Sequence, residues 1–354
     1  MQAGYMMFLS NLHENLPDDE MVRNDLRLAL RAEELGYDVV FCPEHHFEDY
    51  SMSVDNFDIL TYIAAKTEKI KIGLAACILP WHTQPARLAT RITLLDAMFP
   101  DRFLVGFGRG LARKEFETFN IPMEESRDRF DESAKMIINA IETGYIEGDG
   151  PYFPTPKTEI RPRPSRSLDG RLYSVAMSPD SAKQIALNDT RMCSFIQFAI
   201  EKHLPNIEIY REEFRKNHKK EPYAPLLVDF CYCDESAGKA EEMATKYLSA
   251  NYVSLLDHYE FMEDYHKNKQ GYGSYKDAAE FLNSIGKEAA VADYVKHQAW
   301  GTPQQMLDKL WARRELIGDY EWNSISSYGG MPFNMAEKSM ELIGKHVLPE
   351  LKTW

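Results

Sequence analysis

The sequence has few of the features that mark secreted or membrane proteins. It has only five cysteines in 354 residues. All five lie in or beside apolar, strand-like stretches, so we expect reduced core residues and not disulfides. The stretch after Met1 lacks the basic start, long apolar run and cleavage site of a secretory signal. No window is apolar for the length that a membrane helix requires. We therefore expect a cytoplasmic protein without a membrane partner.

A basic surface is also missing. The chain has 41 basic and 55 acidic residues, a formal net charge of -14. Lysine and arginine never cluster without interleaved acids, which argues against a nucleic-acid partner. The pair Cys231 and Cys233 could suggest a metal, but no second pair of ligands accompanies it. We therefore predict no metal site.

Several catalytic signatures are absent as well. The sequence has no Walker-type Gly-Lys-Ser/Thr and no Gly-x-Ser-x-Gly, so the usual marks of phosphoryl transfer and serine hydrolysis are missing. The Gly-x-Gly-x-Gly run Gly106–Gly110 follows the fourth predicted strand, whereas a dinucleotide-binding fingerprint belongs after the first. This run alone is therefore a weak signal.

What is present is a regular alternation of short apolar segments with helical patterns. Short, continuously apolar segments are typical of parallel strands buried on both faces. Eight strands alternating with helices predict one closed (β/α)8 TIM barrel, an α/β fold, across residues 1–354. The predicted strands are Ala3–Leu9, Asp38–Cys42, Ile70–Ile78, Phe103–Gly106, Leu172–Ala176, Met192–Ile196, Leu226–Tyr232 and Trp322–Ser326.

Two intervals are too long for simple connections. They are 144–171, rich in proline and glycine, and 256–300, which is aromatic and polar. We interpret both as insertions at the substrate mouth or at an oligomer surface.

The reactive groups of such a barrel gather where the strands end. The second strand ends at Glu44-His45-His46. A histidine there can act as an acid or base near neutral pH, and an adjacent carboxylate can orient it. A capping or core histidine pair, or a pair of metal ligands, explains these residues equally well, although no third ligand is evident.

Anion-binding features follow two later strands. Gly108-Arg109-Gly110 leaves a guanidinium that can grip a phosphate. Ser178-Pro179-Asp180-Ser181 is typical of a helix start, with Ser178 as its cap. Arg127, near another helix start, is a further phosphate candidate.

Together these segments resemble the bacterial luciferase-like monooxygenase superfamily over nearly the full chain. The resemblance rests on AEELGYDVVFCPEHHF (32–47), KIGLAACILP (71–80), TLLDAMFPDRFLVGFGRG (93–110), VAMSPDSA (175–182), WGTPQQM (300–306) and YGGMP (328–332). The order and spacing of these segments resemble those of the family, as do the residue identities.

The resemblance assigns roles to individual residues. It implies that His45 lines the flavin pocket and assists oxygen chemistry, with Glu44 as its orienting partner. It implies that Arg109, Ser178 and Ser181 hold the flavin phosphate, with Arg127 as a further ligand. It also implies a non-proline cis peptide between Ala75 and Ala76 beside the flavin ring.

The resemblance further implies an enzyme that uses reduced FMN and molecular oxygen, through a flavin hydroperoxide, to oxygenate a small organic substrate. A separate NAD(P)H:flavin reductase would supply the reduced flavin, and a homodimer is expected. Gly108 stands where the light-emitting subunit has its reactive cysteine, so we expect a non-luminescent member. A deazaflavin-dependent oxidoreductase and a catalytically silent flavin-binding subunit are the alternatives.

Aromatic residues near the predicted mouth have two interpretations. Trp81 and His82 line the substrate pocket or pack a loop. The set in and beside the late insertion forms a lid, a covering of the core or a dimer seam: Tyr252, His258, Tyr259, Phe261 and Tyr265.

Overall fold

The chain folds as a closed parallel barrel with helices outside it. The computed structural model describes residues 1–263, 279–280 and 282–354. Its strands are β1 (Ala3–Met6), β2 (Val39–Cys42), β3 (Lys71–Leu74), β4 (Cys77–Ile78), β5 (Phe103–Gly108), β6 (Tyr145–Gly148), β7 (Thr155–Glu159), β8 (Leu172–Val175), β9 (Arg191–Phe195), β10 (Leu226–Phe230), β11 (Tyr232–Cys233), β12 (Trp300–Gly301) and β13 (Glu321–Ile325).

The barrel closes through its third and fourth strand positions. The order of hydrogen-bonded neighbours is β3-β2-β1-β13-β10-β9-β8-β5-β4, and β5 also pairs with β3. In that closing pair Ile72 lies opposite Phe103. Strands β3 and β4 are two parts of the third predicted strand, separated at Ala75 and Ala76, so the predicted (β/α)8 TIM barrel is confirmed.

The helices lie between successive strands, as predicted, with additions at both long intervals. Several begin with proline in the first turn, where a missing N–H costs nothing. They are α1 (Asp18–Glu34), α2 (Asn56–Lys66), α3 (Pro85–Met98), α4 (Arg113–Thr118), α5 (Ser126–Thr143), α6 (Pro179–Leu187), α7 (Ile200–His218), α8 (Ala237–His258), α9 (Lys287–His297), α10 (Pro303–Ile317), α11 (Phe333–Leu342) and α12 (Leu348–Leu351).

No residue of the segment 144–171 lines the cavity described below, so its place at the substrate mouth or at an oligomer surface stays a prediction. It forms an antiparallel hairpin of β6 and β7. It then packs against the end of α3, where Arg171 contacts Asp96 at 2.7 Å. The hairpin also runs back along α5, since the Arg129 guanidinium in the first turn of that helix lies over the Tyr152 ring at 5.0 Å. The interval 256–300 does contribute to the mouth, although 264–278 and 281 lie outside the described residues.

A buried ion pair fastens α10 to β10. Asp229 is fully buried, and both of its carboxylate oxygens accept hydrogen bonds from Arg313, at 2.6 and 2.8 Å. The Trp322 indole N–H donates to the same carboxylate at 3.0 Å. The neighbours of Asp229 on β10, Val228 and Phe230, line the cavity described below. This pair therefore positions one wall of that cavity.

The expected environment of the cysteines is confirmed. All five are buried and free of disulfides. Within the described ranges, none of the helices combines the length and apolar character needed to cross a bilayer.

Candidate active site

A cavity opens at the carboxyl ends of the barrel strands. Its wall includes predicted site residues that follow four different strands: His45, Ala75, Arg109 and Ser181. Ser178 caps the helix that carries Ser181 and is not itself part of the wall. Chemistry-bearing side chains from separate segments therefore converge on one space, as expected for the mouth of an α/β barrel.

Glu44 is the centre of a buried hydrogen-bond cluster. Its carboxylate accepts from the Ile78 amide at 2.8 Å and the Trp81 indole at 2.6 Å. The Nε2 atoms of His46 and His82 lie 3.2 and 3.1 Å from it. Burial alone would raise the pKa of Glu44, but hydrogen bonds from His46 and His82 bring it well below its usual range. Glu44 is therefore a permanent anion that holds the β2 and β4 exits together.

The prediction that Glu44 orients His45 is wrong. Neighbouring residues in extended backbone point to opposite sides, so Glu44 and His45 diverge. The partner of His45 is Glu115 on α4, whose Oε1 lies 3.3 Å from His45 Nδ1. The same oxygen accepts from the His46 amide at 2.8 Å, and Glu115 is only 1% exposed. Glu115 was not found from the sequence; its only signal was a position shortly after the Arg109 loop.

An aromatic wall surrounds the other side of His45. The Tyr259 hydroxyl lies 3.4 Å from His45 Nε2. Tyr50 and His258 both have ring centroids 5.3 Å from that of His45. Of the aromatic set in the late insertion, Tyr259 and Phe261 line the cavity and Tyr252 does not. Two of them thus belong to the cavity wall, their role as a lid stays a prediction, and Tyr265 lies outside the described residues.

Among the residues that the structure describes, two groups of side chains each bring three potential metal ligands within reach of one another. They are Glu44, Cys77 and His82, and His45, Glu115 and His258. In the first, burial raises the pKa of the Cys77 thiol well above its usual range, so the thiolate that a metal needs is disfavoured. In the second, burial lowers the pKa of His258 to about 2, so its ring has the neutral form that a metal would require, and it stacks on Tyr50. Metal binding has no part in the function proposed below.

One end of the cavity carries the predicted anion-binding residues. Arg109, Arg127 and Ser181 line it together. Ser178 caps α6, and its hydroxyl and that of Ser181 form the reciprocal hydrogen bonds of a capping box. Asp131 lies beside the arginines, and burial raises its pKa to about 6 although both arginines oppose that rise. Two guanidinium groups and a helix start form a donor set that suits a phosphate dianion.

Small residues form another part of the cavity wall. Ala75 and Ala76 line it and are joined by a cis peptide bond, as the resemblance implied. The Asn56 amide supports this bond by donating to the Ala76 carbonyl at 3.1 Å. A Cβ at Gly108 would approach Ile78 Cδ1 to 2.5 Å. Ala75, Ala76 and Gly108 therefore form a wall of small residues, named the Ala75–Ala76 slot below, against which a planar ring can lie.

Trp81 and His82 were expected either to line the substrate pocket or to pack a loop, and the structure combines both. Trp81 lines the cavity, and each of the two side chains donates to or contacts Glu44.

Comparison with known proteins agrees with this geometry. The model of a family described as luciferase-like monooxygenase matches residues 1–320. The chain belongs to the luciferase-like monooxygenase family. It is 27% identical over 295 residues to an alkanal monooxygenase alpha chain of Photorhabdus luminescens, covering 82% of this chain and 80% of that one. It is 24% identical over 339 residues to the corresponding chain of Photobacterium leiognathi, covering 94% of each.

Solved structures share the fold of this luciferase-like protein. Monooxygenase RslO1 from Streptomyces bottropensis matches with a TM-score of 0.80 and 23% identity, covering 99% of this chain and 100% of that one. The oxygenating constituent of 3,6-diketocamphane monooxygenase from Pseudomonas putida, in complex with FMN, matches with 0.74 and 16%, covering 99% and 98%. An F420-dependent secondary alcohol dehydrogenase matches with 0.72 and 18%, covering 98% of each.

Proposed function

We propose that this luciferase-like protein is a monooxygenase that uses reduced FMN and molecular oxygen to oxygenate a small organic substrate. One observation carries the proposal: a single cavity is lined by two arginines, by the Ala75–Ala76 slot and by His45. These three features suit the phosphate, the planar ring and the reacting atoms of one cofactor.

The anion-binding end would hold the FMN phosphate. Arg109 and Arg127 would contribute charge-assisted hydrogen bonds, and the capped start of α6, with Ser178 and Ser181, would add polar contacts. When bound in reduced form, FMN supplies the two electrons and the reactivity toward oxygen.

His45 would manage a proton at the reacting atoms. If Nδ1 carries a proton, it donates to Glu115, which leaves Nε2 facing the Tyr259 hydroxyl as an acceptor. This nitrogen can then take a proton from, or return one to, a group bound in the cavity. Glu115 would hold the ring in that orientation and stabilise its charged form. Glu44 would maintain the loop that carries the histidine.

The apolar wall would exclude water from the reaction. Aromatic and aliphatic side chains from β10, α8 and the late insertion cover the side of the cavity that includes Phe230, Leu255 and Phe261. In a site without water, the reduced oxygen species is released more slowly as hydrogen peroxide. Oxygen is then available for transfer to the substrate.

The test is a comparison of cofactors followed by reaction with oxygen. The purified protein is titrated anaerobically with reduced FMN and, separately, with the reduced deazaflavin coenzyme F420. The FMN complex is then mixed with oxygen, and the rates of flavin oxidation and hydrogen peroxide release are recorded. We expect tight FMN binding and peroxide release slower than from free flavin.

A matched pair of variants assigns the effect to the cavity. His45→Ala should speed peroxide release, whereas His346→Ala, at an exposed site on the outer surface, should behave as wild type. Binding of F420 with no binding of FMN would favour the oxidoreductase alternative, for which the fold of the F420-dependent dehydrogenase is the specific support. Binding of FMN with unprotected peroxide release in every variant would favour the silent subunit.

We propose that a separate NAD(P)H:flavin reductase supplies the reduced FMN. Incubation with FMN and NADPH alone should then leave the flavin oxidised, and adding a flavin reductase should start oxygen consumption. Direct reduction by the nicotinamide would contradict this.

We also propose a homodimer. Large apolar side chains are exposed on two adjacent helices: Tyr62 on α2 is 46% exposed, and Leu94 and Met98 on α3 are 46% and 50% exposed. We propose that these side chains form one apolar patch, which would favour a protein partner. Light scattering should give a dimer mass for wild type and a lower mass for Leu94→Asp.

A further inference from the structure

One part of the cavity wall is apolar and ring-lined. Side chains from β10, from α8 and the segment after it, from α9 and from the loop after β2 form it: Tyr50, Phe230, Leu255, Tyr259, Phe261 and Tyr294. Aromatic rings offer flat, desolvated contact surface that suits another ring. None of these six described residues is a lysine or an arginine.

Tyr294 differs from the other members of this wall. It is 1% exposed, and its ring stacks on Tyr252 with centroids 4.1 Å apart and an interplanar angle of 9°. The hydroxyl oxygen is buried and has no hydrogen-bond partner among residues 1–263, 279–280 and 282–354. Burial raises the pKa of Tyr294 well above its usual range, so the hydroxyl stays protonated and can donate.

An unsatisfied buried hydroxyl is costly in a folded protein. Most buried polar atoms have a partner, and an exception at a ligand cavity is explained when the ligand brings that partner. The stacked Tyr252 fixes the Tyr294 ring, so the hydroxyl is held in place before a ligand arrives. Tyr50 interacts with both Tyr294 and His45. Its ring contacts the His45 ring, and its hydroxyl contributes to the raised pKa of Tyr294.

We propose that the substrate is a largely apolar, ring-containing molecule whose carbonyl oxygen accepts a hydrogen bond from the Tyr294 hydroxyl. The ring system packs against the aromatic wall, and the single polar contact fixes which carbon faces His45. Tyr294 is thus a specificity-determining residue. This inference rests on the proposed function, because it places the substrate between Tyr294 and the flavin slot.

The test compares a bicyclic ketone with the hydrocarbon of the same skeleton. α-Tetralone and tetralin are titrated into the FMN-loaded protein and into the flavin-free protein, with the fluorescence of Trp81 in the cavity wall as the signal. We expect wild type to bind α-tetralone about three- to tenfold more tightly than tetralin, the usual net effect of one neutral hydrogen bond.

Two variants separate the hydroxyl from the fold. Tyr294→Phe should lose the preference for the ketone while binding tetralin as wild type does. Tyr252→Phe removes a hydroxyl from the stacking partner, which does not line the cavity, and should keep the preference. Both should melt close to wild type, since the Tyr294 hydroxyl has no hydrogen bond to lose.

Three results would overturn the proposal. They are equal binding of ketone and hydrocarbon by wild type, a ketone preference that survives in Tyr294→Phe, and failure of both probes to bind. Failure of the proposed function is distinct, since the flavin-free titrations can show the preference even if reduced FMN does not bind. Conversely, normal FMN binding with no ketone preference refutes only this inference.

Discussion

Replacing Arg109 with alanine should weaken the binding of FMN but not of riboflavin. The two flavins differ only in the phosphate, and Arg109 lies at the anion-binding end of the cavity. A charge-assisted hydrogen bond contributes about 1.5–3 kcal/mol. At about 1.4 kcal/mol per tenfold change, its loss corresponds to roughly a 10- to 150-fold rise in the Kd for FMN.

The assay is an anaerobic titration of the reduced flavins followed by flavin fluorescence. The ratio of the riboflavin Kd to the FMN Kd isolates the phosphate contribution and cancels effects on the ring slot. Arg127→Ala should reduce the same ratio. Arg129→Ala is the control, because Arg129 pairs with Glu125 at 2.7 Å and does not line the cavity.

The result that would refute this reasoning is equal weakening of both flavins by Arg109→Ala. That outcome would mean that the arginine shapes the ring slot and does not bind the phosphate. An unchanged ratio in both cavity variants would remove the electrostatic basis for preferring FMN at this site.

Three further substitutions test the framework around the cavity. Asp229→Asn leaves a buried guanidinium without its carboxylate and should lower the free energy of unfolding in urea by about 3–5 kcal/mol. Asp319→Asn, in an exposed pair, should lower it by at most about 1 kcal/mol. Equal losses would contradict the role assigned to the buried pair. The pKa of Asp131 is raised to about 6 in the fold, so its ionisation opposes folding as pH rises through that value. Asp131→Asn should therefore raise the Tm at pH 8 but not at pH 4, and a pH-independent gain would argue otherwise. Glu115→Gln exchanges a charge-assisted contact with His45 for a neutral one. It should lower turnover about tenfold and alter the pH profile of turnover. A change in thermal stability alone would indicate a structural role for Glu115.

Much of the fold could be predicted from the sequence because buried parallel strands are almost continuously apolar. Val39–Cys42 and Leu226–Phe230 are such runs, and every residue in both is buried. The break in the third strand was less visible, since Ala75 and Ala76 are apolar like their neighbours and only the resemblance pointed to a cis peptide. The hairpin that includes Thr155–Glu159 was missed because its residues are mostly exposed and lack an apolar alternation.

The site could be predicted in part, for a related reason. His45, Arg109 and Ser181 follow strands, so their convergence at the mouth results from the barrel itself. Glu115 and Tyr294 reach the cavity from a short helix and from the late insertion, where no strand pattern fixes their position. Glu115 lies 70 residues from His45 along the chain, and that contact depends on tertiary packing.

Glu44 and Glu115 lie in different hydrogen-bond environments, and this difference determines what each carboxylate can do. Glu44 carries a charge that four donors compensate from the surrounding loops, so its removal would release the β2 and β4 exits together, with loss of the cavity shape. Within the described part of the chain, Glu115 accepts only one backbone amide besides its contact with His45. Its carboxylate can therefore respond to a change in the charge of the imidazole, which the saturated Glu44 cannot do. Neighbouring letters in the sequence suggested one acid–base pair, but the fold gives the acid–base histidine a carboxylate from a different helix.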